Sequence, residues 1–238
     1  MKMDLSQLKG KVVVITGASR GIGKAIADML VKWDVKLVLG ARSIEQLATD
    51  YQQDNVLLVP LNVREEKSVE QLVGQAVTNF GRIDVLINSA GVGTFANILD
   101  SDTQDFDDMI AVNLRGTYLT CKHVGGIMKE QQDGQILNLV SVAGSTALPG
   151  NGGYTASKFG VRGLTQVLQS ELRSDGVRIT AVLPGAIDSP FWETSNFELD
   201  KANMIPLQSI AEHIAFLLCQ PKQSVVDEIT IMPPYGIL

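Results

Sequence analysis

Tyr154 and Lys158 stand four residues apart in Tyr154-Thr155-Ala156-Ser157-Lys158, a spacing that sets a phenol and an ammonium on one face of a helix. A tyrosine ordinarily ionises near pH 10, so proton exchange near neutrality requires positive charge close by. Lys158 would supply that charge, which makes the pair a candidate proton donor and acceptor. Ser141 lies 13 residues before the tyrosine, at the end of a candidate strand, where its hydroxyl is suited to holding a substrate oxygen. Taken singly, each feature is weak: a Y-x-x-x-K pair is common on exposed helices, and most strand-end serines are only that.

A second group of residues suits an anion. A short apolar run ends in Thr16-Gly17-Ala18-Ser19-Arg20-Gly21-Ile22-Gly23 and leads directly into helical periodicity. Gly17 permits a tight turn, Gly21 lets backbone approach a pyrophosphate, and Gly23 permits close packing of helix on strand. The helix N-terminus favours the anion electrostatically. The spacing is G-x-x-x-G-x-G, not the commoner G-x-G-x-x-G. At the end of the next strand, Ala41-Arg42-Ser43 stands where an NAD-preferring protein commonly sets an acid against the ribose 2′-hydroxyl. With no carboxylate to repel a 2′-phosphate, and with Arg42 and Arg20 nearby, NADP(H) is the expected cofactor. A charge-assisted hydrogen bond contributes about 1.5–3 kcal/mol, so one arginine shifts cofactor choice by roughly ten- to a hundredfold.

These residues need a scaffold, and the chain alternates short β-branched runs with stretches of helical period, the pattern of a parallel sheet covered on both faces. The expected strands are Val12–Thr16, Val35–Ala41, Val56–Leu61, Ile83–Ser89, Gln135–Ser141, Val177–Leu183 and Asp227–Met232. The expected fold is thus α/β, a Rossmann-type doubly wound parallel seven-stranded sheet, with residues 1–238 as a single domain for dinucleotide binding and catalysis. The first crossover helix runs from Gly21 to Trp33. A third helix carries Val69, Leu72, Val73, Ala76, Val77 and Phe80 on one face and stops at Gly81. Ser43 with Gln46, and Ser101 with Gln104, have capping-box spacing and are expected to start the second and fourth helices. From Pro184 to Pro206 no clear period holds; Pro190, Phe191, Trp192 and Phe197 make it either a substrate loop or an ordinary connection whose aromatics pack at the core edge.

Composition narrows the partners. The 238 residues include 45% hydrophobic and 19% charged side chains, a globular balance with mean hydropathy +0.13. A net charge of -6 argues against nucleic acid, whose phosphates are bound through clustered Lys and Arg. Cys121 and Cys219 lie far apart, outside any C-x-x-C, and suggest neither a disulfide framework nor zinc. The only histidines, His123 and His213, sit in no cluster of ligand spacing along the chain, so no metal is expected. The short apolar run Val12 to Ile15 before Thr16 is too short for a signal peptide or membrane span, and a cytoplasmic protein without membrane contact is expected.

Thr16 to Gly23, Asn88-Ser89-Ala90-Gly91, Asn113, Ser141, Tyr154 with Lys158, and Pro184-Gly185 occur together and in order. In this the chain resembles the short-chain dehydrogenase/reductase family over about residues 8 to 195. The resemblance implies that Tyr154 is the general acid in carbonyl reduction and the base in alcohol oxidation. It implies that Lys158 binds the nicotinamide ribose and lowers the tyrosine pKa, that Ser141 positions the carbonyl, and that Asn113 orders a water linking Lys158 to solvent. Asn88, Ala90 and Gly91 would flank the cofactor; Pro184, Gly185, Ile187 and Ser189 would pass the carboxamide end of the nicotinamide. Asn62-Val63 stands where the family usually has Asp-Val against adenine, Ser89 replaces the commoner second Asn, and the ending Asp227-Glu228-Ile229-Thr230-Ile231-Met232-Pro233-Pro234 lacks the glycine-rich tail of fatty-acid-type members.

The expected activity is therefore reduction of a small-molecule ketone or aldehyde, reversible toward the secondary alcohol, with Trp192, Phe191, Phe95 and Leu148 available to line an apolar pocket. A sugar-nucleotide epimerase or dehydratase also uses a Tyr and Lys pair but needs an added substrate domain, for which no residues follow the seventh strand. A cofactor-binding sensor that has lost turnover would be expected to lack one of Asn113, Ser141, Tyr154 and Lys158. The resemblance further implies a homotetramer, in preference to a dimer, through the helices beginning near Asp102 and Tyr154; Gly125-Gly126 in the first would allow close helix approach or simply a kink.

Overall fold

Val12–Thr16 forms β1, and all five of its side chains are buried. A strand buried on both faces has no polar side to show, which is why the sequence run is continuously apolar instead of alternating. The structure, a computed structural model, describes residues 6–193 and 200–237. After β1 come α1 (Gly21–Leu30), β2 (Lys36–Ala41), α2 (Glu45–Asp50), β3 (Val56–Pro60), α3 (Glu66–Phe80), β4 (Val85–Asn88) and α4 (Thr103–Met109). Helix α4 passes through a π-helical turn at Ile110–Arg115 into α5 (Gly116–Gln131). Then follow β5 (Gly134–Leu139), α6 (Gly152–Leu172), β6 (Val177–Pro184), the short β7 (Ile187–Asp188) and β8 (Ile205–Pro206), α7 (Leu207–Leu218) and β9 (Glu228–Ile231).

The main sheet has the order β3-β2-β1-β4-β5-β6-β9, every pairing parallel. This is the doubly wound seven-stranded architecture expected. Val13 and Ile15 point into one core with Ile26, Leu30, Ile210 and Ile214 of α1 and α7. Val12 and Val14 point into the other, with Val69 and Leu72 of α3 and Val124 and Met128 of α5. The chain reverses its winding between β1 and β4, and at such a switch point the loops beyond the strands' carboxyl ends part to leave a crevice.

Several boundaries differ from expectation, each for a local reason. The strand expected over Ile83–Ser89 begins only at Val85: the Ile83 N–H donates to Gln131 Oε1 at 3.1 Å and its carbonyl accepts from Gln131 Nε2 at 2.7 Å, so at Ile83 a side chain takes the place of a neighbouring strand. The strand expected to reach Ser141 stops at Leu139, since Ser141 takes φ 148°. Helix α1 ends at Leu30, short of Trp33, and α3 ends at Gly81 in a left-handed C-cap as expected. Neither capping box forms. Ile44 precedes α2 with no side-chain cap, while the Ser43 hydroxyl donates to Glu45; Asp102, not Ser101, caps α4 by accepting from the Gln104 amide at 2.8 Å. Ser101 instead donates to the Ile98 carbonyl at 3.0 Å. Gly125 lies in an unbroken α5, and a Cβ there would meet Leu172 at 3.4 Å, so its use is approach to α6 within the chain. Within Pro184 to Pro206, β7 and β8 pair in parallel as a two-stranded sheet, and Phe197 lies outside the described residues.

Candidate active site

The site's chemistry hangs on α6. Its buried stripe is Ser157, Lys158, Val161 and Thr165, and Val161 packs on Val140, just past β5, and on Ala181 and Leu183 of β6. Lys158 sits on that stripe, not on the solvent face where an unpaired lysine costs least. Its Nζ donates to the Leu139 carbonyl at 2.8 Å, and loss of water lowers its pKa from 10.5 to about 8. One turn earlier on the same helix, the Tyr154 ring centroid lies 5.6 Å from that ammonium nitrogen.

Burial pushes the Tyr154 phenol up to about 12, opposed by a side-chain hydrogen bond with Ser141. The Ser141 hydrogen bond thus lowers the phenol's pKa against the effect of burial. Ser141 accepts from the Ala143 amide at 3.1 Å and is held at φ 148°, a conformation few non-glycine residues adopt. Backbone of this kind costs about 1–3 kcal/mol and persists where the surroundings over-determine it; here it turns the Ser141 side chain from the sheet toward the tyrosine.

Asn113 occupies the π-helical turn, where Gly116 N–H reaches back five residues to the Ala111 carbonyl. Its side chain is wholly engaged: Oδ1 accepts from Val92 N–H at 2.9 Å, while Nδ2 donates to the Val92 carbonyl at 2.9 Å and to Ser157 Oγ at 3.0 Å. Ser157 Oγ in turn donates to the Tyr154 carbonyl at 2.8 Å. Asn113 thereby clamps the Val92 loop to the helix that bears the tyrosine and lysine. Ser157 went unnoticed in the sequence, although its place three residues after Tyr154 was a usable signal.

A cleft of about 260 Å3 runs along the carboxyl ends of the strands from β3 to β6. Gly17, Ser19, Arg20, Gly21, Ile22, Ala41, Arg42, Asn62 and Val63 line one end; Ala90, Gly91, Pro184, Gly185, Ile187 and Ser189 line its middle and far side with Ser141, Tyr154 and Lys158. Gly17 has φ +68°, and a Cβ on it would lie 2.7 Å from Ala90 Cα, so the turn and its neighbour require glycine there. Arg20 and Arg42 make no side-chain hydrogen bond or ion pair among the described residues, and no carboxylate follows β2 at Ala41-Arg42. Arg64, missed in the sequence, also lines this end, tied to Asp108 at 2.9 Å. Asn62 spends its amide on Glu65 at 2.7 Å.

Three expected cofactor residues lie off the cleft. A Cβ on Gly23 would come within 2.5 Å of the Gly17 carbonyl oxygen, so Gly23 serves the turn's own packing. Ser43 lies beyond the lining and bonds Glu45. Asn88, expected beside the cofactor, turns inward: its amide donates to Asn138 Oδ1 at 2.9 Å and its oxygen accepts from Thr120 at 2.7 Å, with Asn138 donating onward to Thr165 at 2.9 Å. That buried chain ties β4, β5, α5 and α6 together beneath the site. The topology also brings Glu66, Glu70 and His123 together, their ligand atoms within 4.8 Å, a grouping that sequence spacing hid. Lys122 already neutralises Glu66 at 2.6 Å.

Known proteins resemble the chain in sequence and in fold. The family described as short chain dehydrogenase matches residues 11–199. An uncharacterized oxidoreductase of Staphylococcus aureus strain MRSA252 is 37% identical over 232 residues, covering 96% of this chain and 100% of the relative. The X-ray structure of an alcohol dehydrogenase from the archaeon Thermococcus sibiricus, complexed with 5-hydroxy-NADP, superposes with TM-score 0.88 at 33% identity, covering 96% of this chain and 98% of that one. A metagenomic short-chain oxidoreductase in complex with NADP gives TM-score 0.81 at 32% identity, covering 96% and 99%.

Proposed function

The chain belongs to the short-chain dehydrogenase/reductase family, and from that footing we propose that it is an NADP(H)-dependent oxidoreductase interconverting a small carbonyl compound and its secondary alcohol. The observation that carries the proposal is the division of one cleft: Ser141, Tyr154 and Lys158 meet at one end, and Arg20 and Arg42 flank a glycine turn at the other. The two structural relatives described above, solved with 5-hydroxy-NADP and with NADP, support the same cofactor.

The residues present fit the dinucleotide. Backbone at Gly17 and Gly21 leaves room for a pyrophosphate at the α1 N-terminus, where no side chain caps the helix amides. Ser19 and Ile22 complete that turn, Arg20 and Arg42 would meet a 2′-phosphate beside Ala41, and Asn62 and Val63 would border the adenine. Ala90, Gly91, Pro184, Gly185, Ile187 and Ser189 would enclose the nicotinamide end. When bound, the nicotinamide supplies a hydride to the carbonyl carbon, or takes one from the alcohol. Ser141 Oγ holds the substrate oxygen, and Tyr154 gives that oxygen its proton in reduction and withdraws it in oxidation. A phenol pushed toward 12 is fully protonated at neutral pH, which favours the donating role. Lys158 would anchor the ribose and return a proton to the phenolate, while Asn113 acts as a positioning residue through Val92 and Ser157. The whole chain, residues 1–238, works as one unit, in the cytoplasm; among the described residues no helix is long and apolar enough to cross a membrane.

Oxidation of NADPH and of NADH by the purified protein, against a panel of aldehydes, ketones and β-ketoesters, tests the proposal. NADPH-dependent turnover is expected; an inert panel would leave a binding protein. Arg42→Ala is expected to shrink the preference for NADPH over NADH, as a ratio of kcat/KM, by roughly ten- to a hundredfold. An unchanged ratio would remove Arg42 from the phosphate site.

We further propose a homotetramer. Tyr118 on α5, Phe106 on α4, and Phe159 and Val167 on α6 are large apolar side chains left 42–52% exposed on the helices that begin near Asp102 and Tyr154. Monomers seldom leave such a face open. Sedimentation equilibrium should give four times the chain mass, and Phe159→Glu with Val167→Glu should lower it; a monomeric parent protein rules the assembly out.

A further inference from the structure

Four rings meet at the catalytic end of the cleft. Phe95 and Phe191 approach Tyr154 with centroids at 6.0 and 5.6 Å, and Trp192 stacks on Phe95 at 5.5 Å with 18° between the planes. Phe191 stands at 90° to Trp192, 5.2 Å away. The indole is oriented by its N–H, which donates to the Ile187 carbonyl at 2.9 Å. These rings are not core filling: Phe95, Phe191 and Trp192 are each only partly buried and line the cleft alongside Val92 and Leu148. Gly93 makes room for them, since a Cβ there would sit 2.5 Å from the Phe191 ring edge and 3.2 Å from Phe95.

Charge is distributed along the same cleft in a way that discriminates. Among the described residues its lining contains no carboxylate, and Arg20, Arg42 and Arg64 all lie beyond β1, β2 and β3, at the opposite end. Among the described residues that line the cleft, the cation at the ring end is Lys158, whose ammonium is already turned to the Leu139 carbonyl. An anionic group entering here would shed water without gaining a partner, whereas a flat ring would bury apolar surface and find edges and faces to pack on.

Resting on the oxidoreductase assignment above, we propose that the substrate is an uncharged ketone or aldehyde bearing an aromatic ring next to the carbonyl, and that Phe191 is the residue that selects it. The ring lies among Phe95, Phe191 and Trp192 while the carbonyl oxygen reaches Tyr154 and Ser141. Hydride adds to the carbonyl carbon and the Tyr154 proton to its oxygen, giving the aryl carbinol and oxidised cofactor.

The test compares kcat/KM, with NADPH, for acetophenone, butanone and pyruvate in the parent protein, Phe191→Ala and Phe191→Leu. Acetophenone should exceed butanone by roughly tenfold or more, and pyruvate should be the poorest of the three. Phe191→Ala should lower the acetophenone-to-butanone ratio by about tenfold; Phe191→Leu, which keeps an apolar side chain in place, should lower it less. NADPH turnover that favours pyruvate or butanone, or a ratio that Phe191→Ala leaves unchanged, overturns the substrate class alone. Bound NADPH with none of the three ketones reduced overturns the oxidoreductase assignment and this inference with it.

Discussion

Tyr154→Phe is expected to lower kcat for carbonyl reduction by roughly a hundred- to ten-thousandfold while NADPH binding largely persists. The phenyl ring keeps the packing against Phe95 and Phe191, so the pocket retains its shape. What is lost is one proton and the bond with Ser141, whose hydroxyl still accepts from the Ala143 amide. Stopped-flow or steady-state turnover read beside NADPH fluorescence titration separates chemistry from binding. Turnover surviving in the variant would show that another group delivers the proton. The pH dependence follows from the same phenol: burial raises its pKa, so the proton-donating form is fully present at neutral pH. Reduction should fall only as pH climbs toward the phenol's pKa, and alcohol oxidation, which needs the phenolate, should rise over the same range.

Lys158→Met should be nearly as costly to turnover, again by a hundredfold or more, and should raise KM for NADPH as well, because the proposed ribose anchor goes with the ammonium. Its effect on stability carries an opposite sign that is worth measuring. Burial lowers the lysine pKa from 10.5 to about 8. Between those values the unfolded chain holds a proton that the folded chain has released, so the folded state is penalised by about 3 kcal/mol below pH 8, and the penalty fades as pH rises toward 10.5. Methionine removes this penalty but leaves the Leu139 carbonyl without its donor, at about 1–3 kcal/mol. Urea unfolding of both proteins between pH 7 and 10.5 should therefore show the parent gaining on the variant with pH. A difference independent of pH would mean that Lys158 is not desolvated in the folded protein.

The sheet was legible in the sequence because a strand covered on both faces has to be apolar throughout, and β1 is. The glycine turn was legible for an equally local reason: positive φ at Gly17 and Gly21 limits the residue type, whatever lies around it. Helix starts were less so. A capping box is one of several bonds that Ser43 and Ser101 can form, and short-range competition, with Glu45 and with the Ile98 carbonyl, decided otherwise.

By itself the sequence determined the doubly wound fold, the residue types able to exchange a proton, and the absence of an acid where a 2′-phosphate would lie. These depend on covalent character and near-neighbour spacing, which a chain carries unfolded. Only the tertiary structure decided that Asn88 points away from the cleft into a buried chain with Asn138 and Thr165, and that Asn113 braces Val92 and Ser157. It likewise decided that the Ser141 side chain hydrogen-bonds with the Tyr154 phenol, and that Phe95, from the loop after β4, stacks on Trp192, from the segment after β7. Each of these joins groups 13 or more residues apart in the chain, through directional bonds or ring contacts that exist only once the sheet order has brought their elements side by side. Desolvation, which sets Lys158 near 8 and Tyr154 near 12, is likewise a property of what surrounds a group and not of the group.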